Sequence, residues 1–140
     1  MLVKATITHM ATLENLTVLW NPRSYSVHRT NHFASPAILG GGLSRIDMSA
    51  GGTERFTARL FLDSSERSGP ARDLRAYVGR LESWAEPEPG GELQPELLFL
   101  WGSFRFQGVV EDLREEWIRF DPDGTPIRGW VDLTLRRCSR

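Results

Sequence analysis

The chain has 140 residues, a length that suits one domain able to bury a hydrophobic core without disulfides. Its 17 lysines and arginines balance 18 aspartates and glutamates, and this near-neutrality disfavours binding to nucleic acid or to an anionic membrane surface. The one cysteine, Cys138, has no partner in the chain, and no apolar run is long enough for a signal peptide or a membrane span. We therefore expect a single domain over residues 1–140, located in the cytoplasm.

The first part of the chain is predicted to form three strands. Alternating residues indicate strands over 2–8 and 14–20, joined by a short loop at 10–12 into an opening hairpin. Asn21 and Pro22 then interrupt the pattern, because Pro22 has no N–H for a ladder and the Asn21 side chain can close a turn. A third strand is predicted over 25–33. The uncharged, glycine-rich stretch 34–42 is predicted to be a loop suited to docking on another surface.

The middle of the chain contains a strand followed by the only predicted helix. Residues 53–62 alternate with the period of a strand that buries one face. Ser68 and Pro70 are typical of a helix start. Apolar residues then recur at spacings of three and four, which predicts a helix that covers one face of the sheet: Leu74, Tyr77, Val78, Leu81 and Trp84. Residues 86–91 are predicted to be an exposed connecting loop.

The last third is predicted to be β-structure. Residues 97–101 are apolar on both sides of a strand, so both faces need cover, either from the helix and barrel interior or from a neighbouring subunit. Residues 109–120 fit a helical stripe and, roughly, a strand. The turn sequence at 121–124 and the strict alternation over 126–135 favour a strand paired in a hairpin. The fold class expected is mainly β with one α-helix.

No pattern in the chain predicts catalysis or a bound cofactor. His28 and His32 are four apart, a spacing that converges on a metal only on a helix, whereas this segment is predicted to be a strand. Asp63 or Glu66 with Glu111 would be the carboxylates of a hydrolase, but arginines nearby favour a charge-balanced surface. There is no nucleophile elbow, phosphate-binding loop or Cys–His pair. We therefore expect that the protein is not an enzyme and that it binds no metal and no cofactor.

Five tryptophans stand out in a domain of this size. Core packing accounts for most of them, but a small domain can hide few indoles completely, and tryptophan is enriched at protein interfaces. We expect some of them to face a partner; they are Trp20, Trp84, Trp101, Trp117 and Trp130.

Five short segments, the first of which consists of two stretches, follow in order along nearly the whole chain and carry the most specific information. They are Lys4-Ala5-Thr6-Ile7 with Val18-Leu19-Trp20-Asn21-Pro22-Arg23-Ser24-Tyr25-Ser26; Phe61-Leu62-Asp63-Ser64-Ser65-Glu66; Asp73-Leu74-Arg75; Phe99-Leu100-Trp101-Gly102-Ser103-Phe104-Arg105-Phe106-Gln107-Gly108-Val109-Val110; and Phe120-Asp121-Pro122-Asp123-Gly124-Thr125-Pro126-Ile127-Arg128-Gly129. Together they resemble the N-terminal domain of contractile injection system tube–baseplate adaptor proteins. Trp20 stands where that family usually has phenylalanine. Many relatives continue into a LysM module where this chain ends, so sugar binding is not expected here.

The resemblance implies a phage tail-tube-like β-barrel or sandwich with a structural role. Six copies would form a ring that joins the spike and hub of the baseplate to the inner tube of a phage-tail-like particle. The implied partners are other copies of the chain, the inner tube protein and the spike, hub and baseplate proteins, with no nucleic acid and no membrane insertion. The residues predicted to contribute to assembly contacts are Asn21, Pro22, Tyr25, Trp101, Phe104, Phe106, Gly108, Asp123, Gly124, Pro126 and Arg128.

Two other classes of function remain open from the sequence. A small β-barrel could bind single-stranded nucleic acid or a carbohydrate through aromatic platforms, although a basic groove would be expected for the former. A cell-wall hydrolase would use the carboxylates named above, and is the less favoured alternative.

Overall fold

The computed structural model describes residues 2–31, 52–87 and 93–138. Within these ranges the chain forms seven strands, one α-helix and one short 3-10 helix. The strands are β1 (Thr6–His9), β2 (Asn15–Thr17), β3 (Tyr25–Asn31), β4 (Gly52–Asp63), β5 (Leu97–Trp101), β6 (Phe104–Phe120) and β7 (Pro126–Cys138). The 3-10 helix, Gly69–Arg72, and the helix α1, Leu74–Trp84, follow β4. The prediction of a mainly β fold with one α-helix is confirmed.

All seven strands belong to one antiparallel sheet with the order β2-β1-β5-β6-β7-β4-β3. The long strand β6 joins the two halves of this sheet, since its first residues, 104–108, pair with β5 and the rest pairs with β7. β2 and β3 are the outermost strands among the described residues, and residues 109–120 of β6 pair on one side only, with β7.

The sheet is curled, and the evidence is a contact between an edge strand and the middle of the sheet. Tyr25 in β3 stacks on Phe104 in β6, with ring centroids 4.3 Å apart. Three strand positions separate β3 from β6, which in a flat sheet would be about 14 Å. The β3 edge therefore turns back over the β5–β6 hairpin and encloses the core from that side.

One hydrophobic core fills the inside of the curled sheet, and α1 closes it. The predicted helical stripe is confirmed, because Leu74, Val78, Leu81 and Trp84 are buried in this core. Tyr77 packs at its margin and donates its hydroxyl to the Thr17 carbonyl of β2, at 2.7 Å. Burial raises the pKa of the Tyr77 phenol. Side chains of this size contribute about 1.5–3 kcal/mol each when removed from water, so α1 is held mainly by its apolar face.

The predicted start of the helix is wrong. Ser68 makes no side-chain cap, and Gly69–Arg72 forms a separate 3-10 turn with Pro70 near its beginning. Asp73 has an extended backbone, and its carboxylate accepts a hydrogen bond from the Arg75 N–H at 2.9 Å, so α1 begins after it. The local geometry of one aspartate sets the boundary.

The strands predicted at 53–62, 97–101, 109–120 and 126–135 are confirmed, and those of the opening hairpin are present but shorter. Residues 109–120 are strand rather than helix because β7 pairs with β6 along this stretch. The third strand is confirmed over Tyr25–Asn31. The predicted docking loop at 34–42, His32 and most of the connector at 86–91 lie outside the described residues. No helix in the described part of the chain is long and apolar enough to cross a membrane.

Candidate assembly surface

Three aromatic side chains form a cluster that we call the aromatic corner: Tyr25, Trp101 and Phe104. Trp101 and Phe104 flank the two-residue turn between β5 and β6, where Gly102 has a φ of +62°, a value that favours glycine. The Tyr25 ring lies 4.3 Å from Phe104 and 6.3 Å from Trp101 between centroids. Tyr25 is exposed, so the corner presents an aromatic face at the surface beside the β3 edge.

Asn21 fastens the N-terminal segment to the aromatic corner. Its side chain accepts a hydrogen bond from the Ala5 N–H at 2.8 Å and donates to the Val3 carbonyl at 2.9 Å. The Trp101 indole N–H donates to the same carbonyl at 3.0 Å. Asn21 therefore acts across the fold, and Pro22 beside it is buried. Together they set where the chain enters β3.

Phe106 and Gly108 are buried inside the fold and do not lie on its surface. Phe106 is 2% exposed, and its ring lies 5.5 Å from that of Phe56. A Cβ at Gly108 would lie 2.6 Å from the Arg136 carbonyl oxygen, so β6 and β7 approach closely at this point. Any effect of these two residues on assembly passes through the placement of the β5–β6 hairpin.

The tip of the β6–β7 hairpin is held by an ion pair with the 3-10 helix. Arg72 donates two hydrogen bonds to the Asp121 carboxylate, at 2.6 and 2.7 Å, and this pairing lowers the pKa of Asp121. Gly124 has a φ of +91°, and the Asp123 carboxylate accepts from the Thr125 N–H at 3.0 Å. The tip is thus a preformed structure with Asp123 and Gly124 exposed.

Two other predicted residues lie at the base of this hairpin. Pro126 is buried at the first position of β7. Arg128 pairs with Asp63 of β4, with a shortest nitrogen–oxygen distance of 3.0 Å. They brace the hairpin against β4, while the aromatic corner is a separate part of the surface.

The edge strand β3 is fastened to the sheet by a shared carboxylate. Glu54 of β4 is buried and accepts hydrogen bonds from Arg29 of β3, at 2.8 Å to Nε, and from Arg137 of β7. These bonds, first from Arg137 and then from Arg29, hold the pKa of Glu54 below its usual range. The Arg137 guanidinium also lies 4.6 Å above the Phe106 ring. The edge is therefore positioned before any partner binds.

The carboxylates considered for hydrolysis are not brought together. Glu111 pairs with Arg55 at 2.6 Å, and Asp63 pairs with Arg128 at the other end of β4. Residues 55 and 63 are about 26 Å apart along one strand, whereas glycoside hydrolysis needs two carboxyls within about 10 Å. Cross-strand arginines neutralise Asp63 and Glu111, where the sequence suggested near neighbours in the chain, and Glu66 makes no ion pair with a described residue.

The two histidines in the described part of the chain, His9 and His28, lie on different strands. His9 is buried on β1, where its Nδ1 accepts from the Ala11 and Thr12 N–H groups and its ring stands edge-on to Trp84 at 5.7 Å. His28 lies on β3, opposite Arg55. The described residues contain no group of three or more side chains suited to hold a metal ion.

Trp20, the residue just before Asn21, was not among the predicted site residues, yet it lies at a cleft. It is 56% exposed and separates two hollows of about 400 and 470 Å³. The first is floored by Phe61 and Trp130, whose ring centroids are 4.9 Å apart, with the Arg59 guanidinium 4.4 Å over Trp130. We call the two hollows together the basic aromatic cleft. The number of tryptophans was the one sequence signal for it.

A separate hollow, which we call the acidic cleft, lies between the end of α1 and β6. It measures about 560 Å³, and five carboxylates line it: Glu82, Glu86, Glu111, Asp112 and Glu115. Burial, and then the neighbouring Glu82 carboxylate, raises the pKa of Glu115 to about 7. Like charges are therefore crowded here, and the described residues that line the cleft include no cation to balance them.

Comparison with protein families identifies the family to which this chain belongs. A family model described as contractile injection system tube protein matches residues 2–139, which is nearly the whole chain. Comparison with curated proteins gives no significant match. The match includes both edge strands, the aromatic corner and the β6–β7 hairpin, so the described surface lies entirely within the family region. The chain belongs to the family of contractile injection system tube proteins.

Proposed function

We propose that this protein is a structural adaptor, without enzymatic activity, that forms a six-fold ring between the spike-bearing hub of the baseplate and the inner tube of a contractile particle. Membership in the tube family supports a structural role in such a particle. The adaptor position and the ring of six come from the resemblance of the five sequence segments. The partners proposed are further copies of the chain, the inner tube protein and the hub.

The observation that carries the proposal is that β3 is exposed and has a partner strand on one side only among the described residues. Six of its seven residues are exposed, and among the described residues it pairs only with β4. An edge strand presents a row of unpaired N–H and C=O groups, which another chain can extend as a sheet. The other edge, β2, is open in the same way. A rotation that places copies edge to edge closes a ring around a central channel.

A substitution that blocks the edge tests the proposal. Val27 lies in β3 and is 43% exposed, so Val27→Lys adds a charge to the edge with little effect on the core. We expect the purified variant to remain folded by circular dichroism while particles that contain it fail to assemble, as counted by electron microscopy. An edge lysine disfavours strand addition because its charge cannot be buried in the new pairing.

Thr57→Lys is the matched control. Thr57 is exposed on β4 and pairs with Ser26 of β3 on one side and with Thr134 of β7 on the other, so the same charge there should leave assembly unchanged. Normal particle numbers with Val27→Lys, or equal loss with both variants, would contradict assembly through the β3 edge. A native mass that shows one copy per particle would refute the ring itself.

A further inference from the structure

The basic aromatic cleft and the acidic cleft have complementary charges that find no partner among the described residues. Three cations that border the first cleft, Lys4, Arg23 and Arg67, make no ion pair with any described residue, against one such acid there, Glu66. Four acids at the second cleft also make no ion pair within the described part of the chain: Glu82, Glu86, Asp112 and Glu115. The net charge of the chain is near zero, but its surface has one patch with excess positive charge and one with excess negative charge.

Trp130 of the basic aromatic cleft and Glu115 of the acidic cleft lie on opposite faces of the same sheet. Trp130 of β7 pairs with Phe61 of β4 and Glu116 of β6, and these side chains point away from the core. The next residue, Val131, is fully buried in the core and pairs with Glu115. Because side chains alternate along strands, Glu115 lies on the helix side of the sheet and Trp130 on the other. The Glu115 carboxylate therefore cannot pair with the cations of the basic aromatic cleft within one molecule.

We propose that the basic aromatic cleft of one copy receives the acidic cleft of the next copy, as a contact between subunits distinct from the strand edges. The two surfaces are different, so the contact is head-to-tail, the type of interface that builds rings or stacked layers. This inference rests on the proposed self-association and adds the faces that make it specific.

Apolar area and charge have separate roles in this contact. Trp20 is an exposed indole with a hollow on each side of it, and such an aromatic anchor supplies affinity once it is covered. The unpaired charges supply orientation, since two basic clefts or two acidic clefts placed together repel. Cations from a neighbour would also relieve the crowding that raises the pKa of Glu115.

Charge reversal in matched sets tests the contact. Arg23→Glu with Arg67→Glu gives a variant in which both clefts are acidic, and Glu82→Lys with Glu86→Lys and Asp112→Lys gives one in which both are basic. All five side chains are exposed, so both variants should fold. We expect each variant alone to self-associate at least about tenfold more weakly than the wild-type chain by sedimentation velocity, which corresponds to about 1.4 kcal/mol.

Mixing the two variants is the decisive measurement. In an alternating assembly every contact again joins an acidic cleft to a basic one, so the mixture should regain wild-type association and lose it at high salt. Trp20→Ala should weaken association in either background. Wild-type behaviour of either variant alone would overturn the contact. Weakening without recovery on mixing would overturn the contact as well, because it would show that the two clefts do not bind each other. Both failures leave the edge-strand ring standing, because Val27→Lys tests that separately.

Discussion

The pKa of the single side chain Glu115 reflects the excess of negative charge around it. Its carboxyl is partly removed from water and lies beside Glu82, and its pKa is raised from 4.5 to about 7. Because the folded-state pKa lies above the unfolded one, the stability linked to this group is complete below pH 4.5 and is lost as the pH rises through 7.

Glu115→Gln should remove this pH dependence. The amide cannot ionise, so we expect the variant to unfold with a free energy about 1–2 kcal/mol higher than the wild type at pH 8, a figure reduced for solvent screening, and with nearly the same free energy near pH 5. Urea titrations at both pH values measure the difference. Glu66→Gln, at an exposed loop position, serves as the control. Parallel pH profiles for wild type and Glu115→Gln would contradict the assignment.

The pairing of β6 with β7 requires the two backbones to approach closely at Gly108. A comparison of Gly108 with Gly79 separates the effect of this close contact from the effect of glycine on chain flexibility. A Cβ at Gly108 would lie 2.6 Å from the Arg136 carbonyl oxygen, whereas a Cβ at Gly79 in α1 would have no atom within 4 Å other than its own helix and neighbours. The same substitution should therefore have opposite effects in the strand and in the helix.

We expect Gly108→Ala to lower the free energy of unfolding by about 1–3 kcal/mol, because one of the two strands has to move. Gly79→Ala should raise it by about 0.5–1 kcal/mol, since alanine restricts the unfolded chain and favours the helix. Urea denaturation of the two variants side by side gives both signs. A Gly108→Ala chain as stable as the wild type would show that β6 and β7 are not tightly apposed there.

The aromatic corner ties the N-terminal segment, the β3 edge and the β5–β6 hairpin into one surface of the whole molecule. Trp101 does this with its ring, which faces Tyr25, and with its indole N–H, which donates to the Val3 carbonyl. The loss of both contacts frees the N-terminal segment beside the edge strand. Particle assembly should be more sensitive to this change than folding of the single chain.

Trp101→Ala should reduce the number of complete particles by at least about tenfold in electron micrographs, the size of effect typical of an interface anchor. Trp101→Phe keeps the aromatic contact and loses only the N–H, so it should assemble nearly as well. Circular dichroism of the purified variants checks that each is folded. Normal particle numbers with Trp101→Ala would argue against a role for the corner in assembly.

The β-structure was predictable because its signals are local. The alternation after the Asp121 turn indicated β7, and a strand at 109–120 followed because a hairpin needs a partner there. The apolar stripe of α1 was predicted for the same reason, but its first residue was not. That boundary depends on whether Ser68 or Asp73 caps a backbone N–H, which is a matter of geometry over a few ångströms.

The site was only partly predictable, because burial depends on which strands become neighbours. Phe106 and Trp101 lie in the same apolar segment, yet one is enclosed in the core and the other borders the surface. Trp20 was named as one of five tryptophans, but its exposure is a property of the hollows around it. Its role as the centre of a cleft could not be inferred from its neighbours in the chain.

By itself the sequence determined the strand and helix types, the one-domain expectation and the family, since periodicity, turn chemistry and ordered motifs are all written along the chain. Only the tertiary structure decided which edges stay open, which acids find cross-strand arginines and which charges are left over. These properties arise between residues as distant as Arg29, Glu54 and Arg137, which meet only when β3, β4 and β7 pair.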